Sequence, residues 1–320
     1  MMINRMKRVL ILGGSGFIGK NLVEELLADD FYSVIVFDST DNSSEKEKSR
    51  KNFKFYSGNF NAEADLEKVF QENKIDVVVH LISTTIPASS NGANIVYDIE
   101  SNLVGAIRLL ALMKKYNVPK IVFASSGGTI YGLPENDACA SGIAECHGNN
   151  PICSHGIIKL AIEKYIHLYK YLNNIDYLIL RMSNPYGEYH SSETQGLINV
   201  ILKKVIAKHP VVIWGDGGIV RDYIYVKDCV KAIKRLIDKG TVNEILNIGS
   251  GTGRSINDII EIIREITGDF KIKREAGRKF DVPRVVLDTS KLKLIIDFRP
   301  TSIETGIKNT YEWLLKNEPF

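Results

Sequence analysis

Short apolar runs rich in β-branched residues alternate with stretches of helical period through the first half of the chain. Residues 8–12, 33–37, 53–56, 77–81, 121–124 and 177–181 read as strands, because each is a nearly continuous apolar run of strand length, the pattern of a strand buried on both faces. Between them, residues 18–27, 64–71, 99–116 and 157–172 place their apolar positions at helical spacing. Strand and helix in strict alternation build βαβ units, so the expected fold is α/β with a doubly wound parallel sheet.

After the segment Asn184-Pro185-Tyr186-Gly187 the rhythm breaks. A helix over 197–208, short strands at 211–214 and 245–248, and glycine-rich turns predict a second, smaller α/β region that covers the open end of the sheet. The boundaries expected are 1–185 for the first domain and 186–320 for the second, with segments near 219–250 returning to the first. The polar run 41–52 reads as a solvated loop. No internal repeat or low-complexity linker interrupts the chain.

Composition narrows the class. A chain of 320 residues that is 44% hydrophobic and 25% charged has ample material for a packed core and lies outside the disordered and collagen-like classes. Its 41 basic and 38 acidic residues give a net charge of only +3 and form no basic block, which argues against a nucleic-acid partner. The apolar run at 9–12 is cut short by glycines, so the N-terminus reads as a first strand and not as a signal peptide. No uninterrupted apolar stretch of about 18 residues is present, so no membrane partner and a cytoplasmic location are expected. Cys139, Cys146, Cys153 and Cys229 lack CxxC spacing; reduced thiols are expected, and no metal site, although three of them share a segment with His147 and His155.

The most informative motif is GGSGFIG between the first strand and the first helix. Gly13 permits the tight turn, Gly16 lets the backbone approach a pyrophosphate, and Gly19 lets helix and sheet pack closely, while the N–H groups around Phe17 and Ile18 open a helix whose N-terminus attracts anions. Asp38 ends the second strand at about the twenty-residue distance where a carboxylate receives the ribose hydroxyls of a bound dinucleotide. It would repel a 2′-phosphate, and Ser39 and Thr40 offer no arginine to offset it. NAD is therefore expected over NADP.

With HLIST at 80–84, Asn102 in SNLVGAIRLL, SSGGTIYG at 125–132, Lys159 in HGIIKLAIEKY, NPYG at 184–187 and GDGGIVRDYIYVKD at 215–228, the chain resembles the extended short-chain dehydrogenase/reductase family over nearly its whole length. The nucleotide-sugar 4-epimerases of the UDP-glucose 4-epimerase type are the most similar branch. The resemblance implies a Rossmann sheet, with Asn59, Asn102 and Lys159 added to the cofactor site. It also implies a catalytic hydroxyl after the fifth strand, and a tyrosine and lysine four residues apart on the next helix. Aligned on the strand IVFAS, the hydroxyl is Ser126; counted back from Tyr131, the place falls on Gly127, with Ser125 and Thr129 as further candidates.

Lys159 matches the family lysine, but His155 stands where the tyrosine belongs. The family tyrosine takes a hydroxyl proton while hydride leaves the sugar carbon. An imidazole with an ordinary pKa of about 6.5 can do the same work near neutrality, and a neighbouring ammonium keeps it neutral. On the substrate side the resemblance implies Asn184 near the nicotinamide and Arg221 and Arg278 on the nucleotide phosphates, where a planar fork of donors suits the task. Dehydratases of the superfamily carry Asp-Glu after the catalytic hydroxyl; here Gly127-Gly128 occupy that place, which argues against dehydration.

The expected activity is C4 epimerisation of a nucleotide-activated hexose through a 4-keto intermediate, in polysaccharide biosynthesis. The alternatives are a C4 dehydrogenase or 4-ketoreductase and, with His155 as the sign of lost chemistry, a non-catalytic dinucleotide-binding protein. The helical patterns at 99–116 and 157–172 are apolar around more of their circumference than one sheet face requires, so a homodimer is expected.

Overall fold

The computed structural model describes residues 6–85, 95–133, 142–277 and 282–317. Chain contacts divide it into two compact units. The first is Met1–Gly132, Gly148–Arg181 and Ile233–Leu246; the second is Leu133–His147, Met182–Ala232 and Asn247–Phe320.

Strand and helix alternate as the hydrophobic rhythm predicts: β1 (Lys7–Leu12), α1 (Phe17–Leu27), β2 (Tyr32–Asp38), α2 (Glu45–Lys48), β3 (Phe53–Ser57), α3 (Glu63–Glu72) and β4 (Val77–His80). Next come α4 (Ile95–Asp98), a π-helical segment (Ile99–Val104), α5 (Gly105–Lys115), β5 (Lys120–Ser126), α6 (Ser154–Asn173) and β6 (Asp176–Met182). Among the described residues the main sheet has seven strands in the order β10-β6-β5-β4-β1-β2-β3, where β10 is Glu244–Ile248. β1 pairs in parallel with β2 and β4, the doubly wound arrangement whose strand order reverses at β1. Ligands of such sheets bind beyond the carboxyl ends of the strands at that reversal. Leu10, Leu12, Ile35, Phe37, Val78 and Phe123 from the strands and Leu109, Ile158 and Ile162 from the helices make one buried cluster.

Three expectations need correction. The polar run 41–52 is not all loop. Ser44 and Glu47 form a reciprocal capping box that starts α2, and Glu47 is drawn inward to accept from Lys20 Nζ at 2.6 Å. The predicted helix at 99–116 starts earlier and changes pitch. Asp98, Ser101 and Asn102 are buried polar residues, and the wider π turn accommodates their bonds before the α-helix resumes at Gly105. No strand was expected between 181 and 211, yet Asn184 opens one, β7 (Asn184–Tyr186), which pairs in parallel with β9 (Val220–Tyr225).

In the second unit β9 lies between β11 (Gly253–Ser255) and β13 (Arg284–Val285), and β8 (Val211–Trp214) pairs with β12 (Ile272–Glu275). Tyr186, Ile198, Ile201, Tyr223, Ile259 and Ile307 are in its core.

Candidate active site

The glycine-rich turn has the tight geometry a dinucleotide cradle needs. Gly13 has φ +85°, a conformation that strains a residue bearing Cβ, and its carbonyl accepts from the Gly16 N–H at 3.2 Å. A Cβ on Gly19 would stand 2.0 Å from that same carbonyl oxygen. Gly16 is the N-cap of α1 and supplies no side-chain cap, so a phosphate at the helix start meets backbone only around Phe17 and Ile18. At the end of β2 the Asp38 carboxylate accepts from Ser15 N at 3.0 Å and Ser39 N at 2.8 Å, which ties it to the turn. Lys20, a cation in the adjoining helix, is committed to Glu47 and to the Asn42 carbonyl. Asn59 is exposed; its Oδ1 accepts from Asn61 N, and its own N–H donates to Asp65 Oδ2. Glycine cradle and strand-end carboxylate together suit NAD, and Lys20 is engaged within the protein rather than held out toward a 2′-phosphate.

His155 and Lys159 lie one turn apart on α6, hence on one face. Lys159 is 6% exposed and donates from Nζ to the Ala124 carbonyl at 2.8 Å, with the ammonium 4.8 Å from the Phe123 ring centroid. Burial pulls its pKa down to about 8, against the opposing pull of Asp98 and Glu163. The His155 imidazole is lowered to about 4 by burial and then by Lys159, opposed by Asp98 and by a hydrogen bond to the Thr85 backbone. It is therefore neutral at physiological pH. A neutral imidazole that donates one N–H to the Thr85 carbonyl keeps its lone pair on the other nitrogen, the form a proton acceptor needs.

The three candidate hydroxyls are placed differently. Ser125 is 5% exposed and donates to Glu163 Oε1 at 2.6 Å. Thr129 Oγ1 is buried without a partner among the described residues. Ser126, at the end of β5, is half-buried, and no hydrogen bond engages its hydroxyl among the described residues.

Two polar networks surround this pair. Glu163, one turn beyond Lys159, forms a two-pronged ion pair with Arg181, Oε1 to Nε at 3.1 Å and Oε2 to Nη2 at 2.7 Å, both residues being 1% exposed. Burial disfavours the guanidinium charge, but the Glu163 contact outweighs it and raises the pKa of Arg181. On the other side Asp98 accepts from Thr85 Oγ1, Asn102 Nδ2 and Ser154 Oγ. The Asn102 amide is thus spent within the protein, since its Oδ1 also accepts from Thr84 N at 2.9 Å. Asp98, Ser154 and Glu163 were not singled out by sequence reasoning. A signal was present, because Asp98, Ser101 and Asn102 put three polar side chains on the face where a helical pattern asks for apolar ones.

In the second unit Asn184 Nδ2 donates to the Asp222 carbonyl at 2.9 Å, and the half-buried Arg221 donates from Nη1 to the Val220 carbonyl. The fully buried Asp222 carboxylate accepts from Ser250 N and Oγ, Gly251 N and Leu287 N, fixing the strand that carries Arg221. Arg278 lies outside the described residues, as does Cys139. Cys146, Cys153 and Cys229 are unpaired thiols, and no group of three or more His, Cys, Asp or Glu side chains converges on a metal position among the described residues.

Residues 9–249 match the NAD dependent epimerase/dehydratase family. A provisionally named UDP-glucose 4-epimerase of Methanocaldococcus jannaschii is 34% identical over 97% of this chain and 99% of its own. The chain belongs to the NAD-dependent epimerase/dehydratase family. Another similar protein is the dTDP-4-dehydro-6-deoxyglucose reductase of Escherichia coli, 30% identical over 96% of this chain and 94% of its own. Among solved structures of the family, UDP-glucose 4-epimerase of Thermotoga maritima with UDP-glucose has a TM-score of 0.89 at 32% identity, covering 98% of this chain and 100% of that one. The Thermus thermophilus UDP-glucose 4-epimerase complex with NAD has a TM-score of 0.88 at 29% identity, covering 97% and 99%. Among the described residues of this family member no helix is long and apolar enough to cross a membrane.

Proposed function

We propose that this enzyme is an NAD-dependent 4-epimerase of a nucleoside-diphosphate hexose, with UDP-glucose and UDP-galactose the first pair to assay. The observation that carries the reading is the His155–Lys159 pair, one turn apart on α6 and anchored on the Ala124 carbonyl near the end of β5. The glycine turn and Asp38 hold the dinucleotide, and Lys159 holds the nicotinamide ribose. NAD, when bound, accepts the C4 hydride and gives it back. His155 takes the C4 hydroxyl proton as the carbonyl forms and returns it when hydride arrives on the other face of the turned sugar. Ser126, whose hydroxyl no hydrogen bond engages among the described residues, polarises the C4 oxygen; Ser125 cannot do so while it serves Glu163. Arg221 and Arg278 hold the pyrophosphate and Asn184 the sugar.

The similarity to a 4-keto-sugar reductase favours a second reading, net transfer at C4 with exchange of the cofactor, which uses the same residues. Incubation with a panel of nucleotide sugars, followed by NMR of the product and the cofactor spectrum, separates the two. Epimerisation leaves the NADH absorbance without net change, while net oxidation or reduction changes it in proportion to product. His155→Ala is expected to lose about 100- to 10,000-fold in kcat while still binding NAD, the worth of a positioned proton acceptor. Equal activity in wild type and His155→Ala would sink the assignment.

We further propose a homodimer. Val96, Tyr97, Ile157, Leu168, Tyr171 and Leu172 are exposed on α4 and α6, more apolar surface than an isolated helix pair leaves in water. Sedimentation at micromolar concentration should give twice the chain mass; a monomer would refute it.

A further inference from the structure

We infer that Asp98 is a positioning residue for the His155–Lys159 pair: its buried carboxylate, tied to the first residue of α6 through Ser154, supplies the negative charge that a histidine in place of a tyrosinate leaves out. The inference rests on the reading of His155 as the proton acceptor.

Asp98 is 1% exposed and makes no ion pair within 4 Å among the described residues, an expensive situation for a carboxylate unless something needs its charge. It is built in from three sides. Thr85 Oγ1 from the segment after β4 and Asn102 Nδ2 from the π segment both donate to Oδ1, and Ser154 Oγ donates to Oδ2 at 2.9 Å. Ser154 immediately precedes His155, so the carboxylate fixes the helix start from which the imidazole projects, and the Thr85 backbone receives that imidazole.

Charge counting gives the reason. A tyrosinate beside a lysine ammonium is neutral before proton transfer and +1 after it. A neutral imidazole beside Lys159 is +1 before and +2 after, and two buried cations one helical turn apart resist the second charge. Adding Asp98 restores 0 and +1. Among the described residues the charges acting on Lys159 are Asp98 from α4 and Glu163 from the next turn of α6, with the titratable His80 of β4 also within range of its ammonium, while those acting on His155 are Lys159 and Asp98.

The test is a background comparison. In the parent enzyme Asp98→Asn should cost about tenfold in kcat with little change in KM, since losing a nearby opposite charge is worth about a unit of pKa. In a His155→Tyr background, where the phenolate brings its own charge, the same substitution should cost several-fold less. Equal losses in both backgrounds would overturn the inference and leave Asp98 a structural residue.

A second readout needs no activity. The Lys159 midpoint, followed by 13Cε NMR and near 8 in the parent, should fall by about one unit in Asp98→Asn and stay in place in Ser154→Ala, which keeps the charge. An unchanged midpoint in folded Asp98→Asn overturns the inference even if no sugar is turned over, so its failure is separable from that of the epimerase reading. Should Asp98→Asn not fold, Ser154→Ala is expected to lose roughly tenfold in kcat, one charge-assisted hydrogen bond, with recovery in Ser154→Thr. Full activity in Ser154→Ala would refute the tie to the helix.

Discussion

Replacing Glu163 by glutamine tests how α6 is held and how Lys159 is kept charged. The carboxylate carries two contacts to Arg181 and one from Ser125, and the ion pair is almost fully removed from water, with side chains 2% exposed on both partners. Glutamine removes the Glu163 charge from the buried Arg181 guanidinium, which costs about 3–5 kcal/mol. At roughly 2–4 °C per kcal/mol for a domain of 150–250 residues, the melting temperature should fall by roughly 6–20 °C. The second consequence is electrostatic. Burial already lowers Lys159 to about 8, and Glu163 is one of the two charges opposing that fall. Without it the ammonium loses its proton at lower pH, so the alkaline limb of NAD affinity should move toward neutrality. Circular dichroism melting and calorimetric titration of NAD across pH 6–9 measure the two effects. The paired variant Glu163→Leu with Arg181→Met removes both charges and should be more stable than Glu163→Gln alone, because a buried pair replaced by apolar groups is often close to neutral. A melting shift under about 2 °C in Glu163→Gln, or a paired variant no better than the single one, would refute the reasoning.

Acid should destabilise the fold before most carboxylates titrate. Burial depresses His80 to about 3 and His155 and His190 to about 4, all below the unfolded value of 6.5, so the unfolded chain takes up protons that the folded chain refuses. Stability present above pH 6.5 is lost as pH falls toward 4, at up to about 4 kcal/mol per pH unit for three such groups, and urea midpoints at pH 7.0 and 5.5 would show it. A midpoint unchanged between those values would contradict the burial. Gly19→Ala drives a Cβ against the Gly13 carbonyl with only backbone to yield, so NAD affinity should collapse; retention within threefold would mean the turn is not the cradle. Asp38→Ser should weaken NAD and narrow the preference over NADP, read by calorimetry with both cofactors.

The pattern of apolar residues determined the architecture, because a parallel strand buried on both faces and a helix buried on one leave periods that local sequence alone displays. The six strands and four helical patterns expected before 182 all form, and the tight turn expected at Gly13 takes the positive φ that few other residues meet. The four-residue spacing of His155 and Lys159 along one helix was equally plain. Which hydroxyl is uncommitted was not, since Ser125 and Ser126 are neighbours in sequence and only the packing of Glu163 against β5 spends one and spares the other. The π segment escaped because its extra residue per turn follows from the bonding of Asp98, Ser101 and Asn102, not from periodicity. Asp98 and Ser154 are far apart along the chain and meet only when α4 and α6 pack; a buried charge reports on its partners, and those partners exist only in three dimensions.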